Sequence, residues 1–203
     1  NTNVDYPVVY KAGVENYAYY ESKGYDKQYS KDGVIWADYE CTFPELSQNT
    51  TLYGHNWHNI YTPRTQANMQ ANDLMFSLVM SYNYTDFAQE NPFIYFSTTE
   101  QDYVFQVFAS YYTDLNFGYN YAQMSQEDFQ KVIAEAKAKS LSNYNVPVTS
   151  EDKIVTLSTC TRVHGNTNNQ RFVVMAKLVP VGTPSTTIST HSNPIAYNSS
   201  IDA

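Results

Sequence analysis

Two strongly apolar, strand-like runs constrain this chain more than anything else in it. They span 153–158 and 172–179 and are joined by a polar loop, 161–170, that holds Gly165 and several asparagines. Runs of this kind belong in a sheet. The first leads into Thr156-Leu157-Ser158-Thr159-Cys160, and the second opens at Arg171, eleven residues past the cysteine. An acyl-transfer site can use such a pair: a sulfur to attack a carbonyl, and a fixed cation to hold the resulting oxyanion. The one other cysteine is Cys41. Whether Cys160 is a nucleophile or a small buried hydrophobe therefore decides what the protein does.

Further strands are expected at 33–39, 49–54, 92–98 and 102–112, each rich in aliphatic and aromatic residues. Residues 5–22 place Tyr6, Val9, Tyr10, Val14, Tyr17 and Tyr20 at roughly helical spacing, which predicts one or two short N-terminal helices with Gly13 as a break. Leu74, Met75, Leu78, Val79 and Tyr82 predict a short amphipathic helix. The firmest helix starts at Ser125, a capping residue three positions before Asp128, and buries Phe129, Val132, Ile133 and Ala136. The polar, Asn- and Gln-rich stretch 57–72 reads as an irregular loop with a turn of helix. About seven β segments with few helices predict a mainly-β barrel or sandwich decorated by helices. At 203 residues the chain is expected to form one domain, 1–181, followed by a flexible C-terminal tail, 182–203, that lacks periodicity.

Charge narrows the function classes. The net charge is −8 and basic residues form no run, which argues against a nucleic-acid partner. No His/Cys cluster has zinc spacing, so neither a metal nor a cofactor is expected. Cys41 and Cys160 permit at most one disulfide. No apolar stretch approaches the length of a membrane span, and the polar opening residues show no signal peptide.

A cysteine nucleophile also needs a proton donor for the leaving amine. Of the four histidines, His191 lies in the expected tail and His164 in a polar loop. His58 sits in the 57–72 stretch. His55 follows Leu52-Tyr53-Gly54 at a strand end, where Gly54 lets the backbone turn and aim the imidazole. Alone, each signal has an ordinary explanation: a packed thiol, a surface cation, a loop histidine.

Together they match something specific. Thr156-Leu157-Ser158-Thr159-Cys160 resembles the TLxTC signature of sortases, the cysteine transpeptidases of the Gram-positive surface. Leu52-Tyr53-Gly54-His55-Asn56 resembles that family's YGHN motif, and Arg171-Phe172-Val173-Val174 its arginine run. Asp5-Tyr6-Pro7-Val8-Val9, the 33–39 strand and the helix before the cysteine strand are similar to class B members. Two departures bear on substrate preference: 57–72 is longer than in many class B members, and Thr161 stands where several relatives carry an acidic residue.

The resemblance implies an eight-stranded β-barrel with N-terminal helices and an extra helix before the cysteine strand. It implies catalytic roles for His55, Cys160 and Arg171. Cys160 would attack the Thr carbonyl of a sorting motif on a secreted protein, and an amine of a peptidoglycan precursor, or of a pilin lysine, would resolve the thioacyl-enzyme. It further implies work at the outer face of a Gram-positive membrane, held there by an N-terminal anchor outside this sequence. Tyr53 and Ser158 each lie two residues before a catalytic position and so share its strand face. They are expected to line the substrate groove, with Thr159 and Thr161 pointing away or contributing through the backbone. A cysteine hydrolase using water and a non-catalytic surface adhesin are the rival readings.

Overall fold

The computed structural model describes residues 2–198. Its strands are β1 (Val8–Val9), β2 (Ile35–Ala37), β3 (Asn49–Tyr53), β4 (Phe93–Ser97), β5 (Asp102–Asp114), β6 (Ser142–Tyr144), β7 (Ile154–Cys160), β8 (Gln170–Val179) and β9 (Ile188–Thr190). Seven of them form the main sheet in the order β1-β2-β3-β7-β8-β5-β4, curled into a half-barrel. β6 and β9 form a separate antiparallel ribbon. The mainly-β class is as expected. The strands divide seven and two, rather than closing as a barrel of eight.

The two apolar runs are β7 and β8, neighbours at the sheet centre, and β7 also pairs in parallel with β3. Every residue from Ile154 to Thr159 is buried, as is every residue from Phe172 to Ala176. Burial on both faces explains why these strands read as continuous apolar runs instead of alternating ones. Two helices flank the sheet, α1 (Thr85–Glu90) and α2 (Gln126–Lys139). One face is covered by α2, which buries Phe129, Ile133 and Ala136, and by the 115–124 loop. The other is covered by 3-10 turns over Ser77–Asn83, where Tyr82 O accepts from Ser110 Oγ, and α1 packs behind them through Phe87 on Tyr82.

α2 begins where its cap predicts. Ser125 Oγ accepts from Asp128 N at 3.1 Å and donates to Asp128 Oδ2 at 2.7 Å. The expected N-terminal helices are not formed. Residues 5–22 instead give edge strand β1, a 3-10 turn at Val14–Asn16 and a run of turns. Pro7 cannot donate to a helix ladder, whereas Val8 and Val9 pair in parallel with Ile35 and Trp36. β-branched residues beside an open sheet edge gain more from that pairing than from a short helix.

The segment after 181 is not free along its described length. Ile188 is buried, β9 pairs with β6, and Ile195 N donates to Ala138 O at 3.0 Å. The last five residues of the expected tail, 199–203, lie outside the described residues. Among the described residues, no helix is long and apolar enough to cross a membrane.

Candidate functional site

Cys160 and Arg171 face each other directly across β7 and β8. Thr161 N donates to Gln170 O at 3.3 Å in the next pair along. That makes Cys160/Arg171 a non-hydrogen-bonded pair, the geometry in which opposed Cα atoms approach to about 4.5 Å and side chains lie closest. Thiol and guanidinium therefore leave the sheet on one face, side by side. Cys160 is partly exposed, and both cysteines are free thiols. Cys41 is buried against Thr51 O, and that burial pushes its thiol up to about 12. It stays protonated at neutral pH, so the accessible Cys160 is the nucleophile candidate of the two.

Arg171 is held from its own loop. Its Nη1 donates to Asn168 O and to Gln170 O, each at 2.9 Å. Gln170 is buried and ties the loop internally, with Nε2 donating to Gly165 O (2.8 Å) and Thr167 Oγ1 (2.7 Å) and Oε1 accepting from His164 N (3.0 Å). Asn56 Nδ2 donates to Cys160 O at 3.2 Å, which fixes the backbone at the nucleophile.

His55 reaches the site because the end of β3 is locked to β7. Gly54 N donates to Ser158 O at 3.4 Å, and Thr159 Oγ1 donates back to Gly54 O at 2.7 Å. The imidazole stacks on Trp57 (centroids 5.0 Å apart) and lies near Trp36. Its Nε2 pairs with Glu21 O at 2.5 Å. A carbonyl only accepts, so Nε2 carries the hydrogen, and Nδ1 is the nitrogen that gains and loses a proton. No hydrogen bond joins His55 to Cys160 among the described residues, a common state of acid–base pairs before substrate arrives. Gly54 is needed for a reason other than a turn. A Cβ there would sit 2.5 Å from Ile35 Cδ1 and 2.7 Å from Phe76 Cγ, so the constraint is close packing beneath the strand end.

Tyr53 and Ser158 are register partners on the same face as Cys160. Ser158 is buried, and its hydroxyl pairs with Tyr119 Oη at 2.8 Å. Tyr53, half-buried, donates to Asp38 Oδ2 (2.7 Å) and accepts from Asn120 Nδ2 (2.9 Å). Burial raises the Asp38 carboxyl above the usual range, against hydrogen bonds from Glu40 N and Tyr53 that lower it. Thr159 and Thr161 are buried on the other face. Their hydroxyls are used within the fold, Thr159 on Gly54 O and Thr161 on Ile60 O (3.2 Å). Thr161 thereby pins the 57–72 segment to the end of β7.

The 115–124 loop supplies groups that the sequence did not single out. Tyr119 is buried under Ser158; burial is the main cause of its raised pKa, with Arg171 lowering and Cys160 raising it. It thus lies within electrostatic reach of both site residues. Asn49 Nδ2 donates to Tyr119 O (2.8 Å), and Thr51 Oγ1 to Asn120 O (3.3 Å), so alternate residues of β3 hold this loop beside the thiol. A cavity of about 1310 Å³ bounded by Leu52, Leu157 and β4 opens on the reverse face of the sheet, away from Cys160. Among the described residues no cluster of three or more His, Cys, Asp or Glu side chains is placed to hold a metal ion.

A family model described as "Sortase domain" matches residues 1–179. Sortase B of Staphylococcus aureus is 30% identical over 181 residues, covering 89% of this chain and 67% of that protein. Sortase B of Listeria monocytogenes is 28% identical, covering 88% and 66%. The chain thus spans about two thirds of the length of these curated relatives. The solved S. aureus sortase B–substrate complex superposes with a TM-score of 0.71 at 29% identity, covering 87% of this chain and 74% of that one. Clostridium perfringens sortase B gives 0.71 at 26%, covering 88% and 89%.

Proposed function

The chain belongs to the sortase family, in class B, and from that premise we propose that it is a cysteine transpeptidase that cleaves a sorting motif and passes the acyl group to an amine. The observation that carries this reading is the Cys160–Arg171 cross-strand pair beside a histidine whose strand is locked to the nucleophile's.

The Cys160 thiolate attacks the Thr carbonyl of the motif. The new C–S bond turns the carbonyl oxygen into an oxyanion, which the planar Arg171 guanidinium stabilises. The tetrahedral intermediate collapses as the C–N bond breaks. His55, as imidazolium, gives its Nδ1 proton to the departing amine and leaves a thioacyl-enzyme and a neutral imidazole. An incoming amine then attacks the thioester, His55 takes its surplus proton, and Cys160 leaves as thiolate. The charge and proton count return to the start, so no other reactant is required. Tyr53, half-buried, borders the groove, while buried Ser158 supports it from beneath through Tyr119, and Thr159 and Thr161 act through the backbone positions they hold.

Solved sortase B structures include one with a substrate and one with a triglycine ligand, which supports a peptide donor and an amine acceptor here. By the same reading the donor is a secreted protein, the acceptor a peptidoglycan precursor, and the place of work the outer face of a Gram-positive membrane. The test is mass spectrometry with a small library of fluorogenic sorting peptides, each with Thr at the cut position. Wild type should form an acyl adduct on Cys160, and Cys160→Ala none. His55→Ala and Arg171→Ala should lose about 10²-fold or more in rate. Cleavage by Cys160→Ala would sink the reading. Products formed with and without an added amine distinguish transfer from hydrolysis.

A further inference from the structure

We propose that residues 188–197 form a strap that positions the 161–170 loop and, through it, Arg171, with Tyr197 and His164 as the positioning residues. The inference rests on the role given to Arg171 above. The strap lies beyond the stretch that the sortase model matches, which ends at 179.

Its anchor is the C-terminal end of α2. β9 pairs with β6, His191 N donates to Leu141 O (3.0 Å), and His191 Nδ1 pairs with Ser140 O (2.7 Å). Ile195 N donates to Ala138 O (3.0 Å), and buried Lys139 donates from Nζ to Tyr197 O (2.9 Å) while pairing with Glu135 (2.9 Å). These bonds fix the strap's far end at the place where it meets the loop.

There, the Tyr197 ring stacks on His164, with centroids 4.6 Å apart and planes 9° from parallel. His164 in turn meets Tyr112 edge-on at 4.8 Å, and Tyr112 packs on Phe172, the residue after Arg171, at 4.9 Å. The loop end that holds the guanidinium, through the carbonyls of Asn168 and Gln170, is bound to His164 by the Gln170 side chain. His164 is thus clamped between the strap and the sheet, and the loop that sets Arg171 is clamped with it. Without Tyr197 the His164 ring has a free face, and the loop has one wall fewer. A guanidinium misplaced by a fraction of an ångström stabilises the oxyanion less, while peptide binding elsewhere in the groove is unaffected.

The experiment uses the full chain, in wild type and with Tyr197→Ala, Tyr197→Phe or Arg171→Ala. Cleavage of a sorting peptide that wild type accepts is measured for kcat and KM, and amide hydrogen exchange is followed across 161–170. Tyr197→Ala should lower kcat roughly tenfold with KM within about twofold, and speed exchange in the loop but not in β7 or β8. Tyr197→Phe keeps the ring and should match wild type in both readouts. If Tyr197→Ala keeps wild-type kcat while Arg171→Ala is inactive, the strap proposal is overturned and the site stands. Slow turnover with unchanged loop exchange overturns it too. If Arg171→Ala itself cleaves at the wild-type rate, the reading of the site fails instead.

Discussion

Asp38 is a buried carboxylate whose charge has no cation within the bonds that hold it. Its oxygens are satisfied by Glu40 N (2.9 Å) and the Tyr53 hydroxyl. Tyr53→Phe removes one of them and also frees Asn120 Nδ2. Leaving a buried acceptor without its donor costs about 1–3 kcal/mol, so urea denaturation should show a loss of that size at pH 7. The sign of the pH dependence follows from burial, the leading cause of the raised Asp38 pKa. A carboxyl whose folded pKa lies above its unfolded value favours the fold at low pH and loses that favour as pH rises through the folded pKa. The Tyr53→Phe deficit should therefore shrink as pH falls through the carboxylate range, where Asp38 takes up a proton and no longer needs the donor. A deficit constant with pH would mean that Tyr53 acts through packing alone. At this scale the sequence was legible at strand boundaries: Cys160 closes β7, Arg171 sits at the start of β8, and His55 lies just past the end of β3. Tyr119 and Asp38 were not legible. An aromatic in a turn-rich loop and an acid after a short strand carry no periodicity, and only the folded register brings them to Tyr53 and Ser158.

The end of β3 carries His55, and its position is set by what lies beneath Gly54. Gly54→Ala puts a methyl within 2.5 Å of Ile35 Cδ1 and 2.7 Å of Phe76 Cγ, so strand or core must shift. Overpacking of this kind costs about 1–3 kcal/mol. Because the same shift drags the imidazole from its Trp57 stack, turnover should fall more than stability does; equal recovery of activity and native fraction at low temperature would disprove the coupling. The strap offers an element-scale pH effect. Burial lowers the His164 pKa. A base depressed in the fold binds more protons when unfolded, so its penalty grows as pH falls below the unfolded value near 6.5. Charged groups on the elements that hold it are the Lys139 ammonium bound to Tyr197 O, paired with Glu135, and Arg162 and Arg171 at the two ends of its own loop. Corrected for the intrinsic exchange rate at each pH, the loop should lose protection from pH 7 to pH 5 in wild type and keep it in His164→Phe. Elements with strong local signals, such as α2 with its Ser125 cap, were readable in the sequence. β1 and β9 were not, since their two or three residues become strands only when Ile35–Trp36 and Ser142–Tyr144 offer an edge, and tertiary pairing outweighs a helical spacing of tyrosines.

Across the whole molecule the site is assembled from β3 and from β7 with β8, about a hundred residues apart in sequence. Motif order announced that meeting, but the seven-and-two division of strands depends on pairings between distant edges that no local pattern encodes. The molecule also has a field. Twenty acidic residues against twelve basic ones leave a net charge of −8. At the site the Arg171 cation stands near the buried Asp38 carboxyl behind Tyr53, so the net negative potential comes mainly from the surrounding surface and acts over the Debye length, about 30 Å near 10 mM salt and about 3 Å near 1 M. In the proposed reaction such a field concentrates cationic acceptors around the thioacyl-enzyme and leaves uncharged ones alone. A diamine acceptor carries its positive charge on the end that does not attack, and hydroxylamine at pH 7 is mostly neutral. The ratio of transfer to hydrolysis with the diamine should fall about two- to fivefold between those salt limits, while the ratio with hydroxylamine should hold steady. Hydrolysis in the same tube cancels effects of salt on acylation, since both products arise from one intermediate. If both acceptors lose ground equally, salt acts on the thioester or the fold, and the charge of the molecule has no part in choosing the amine.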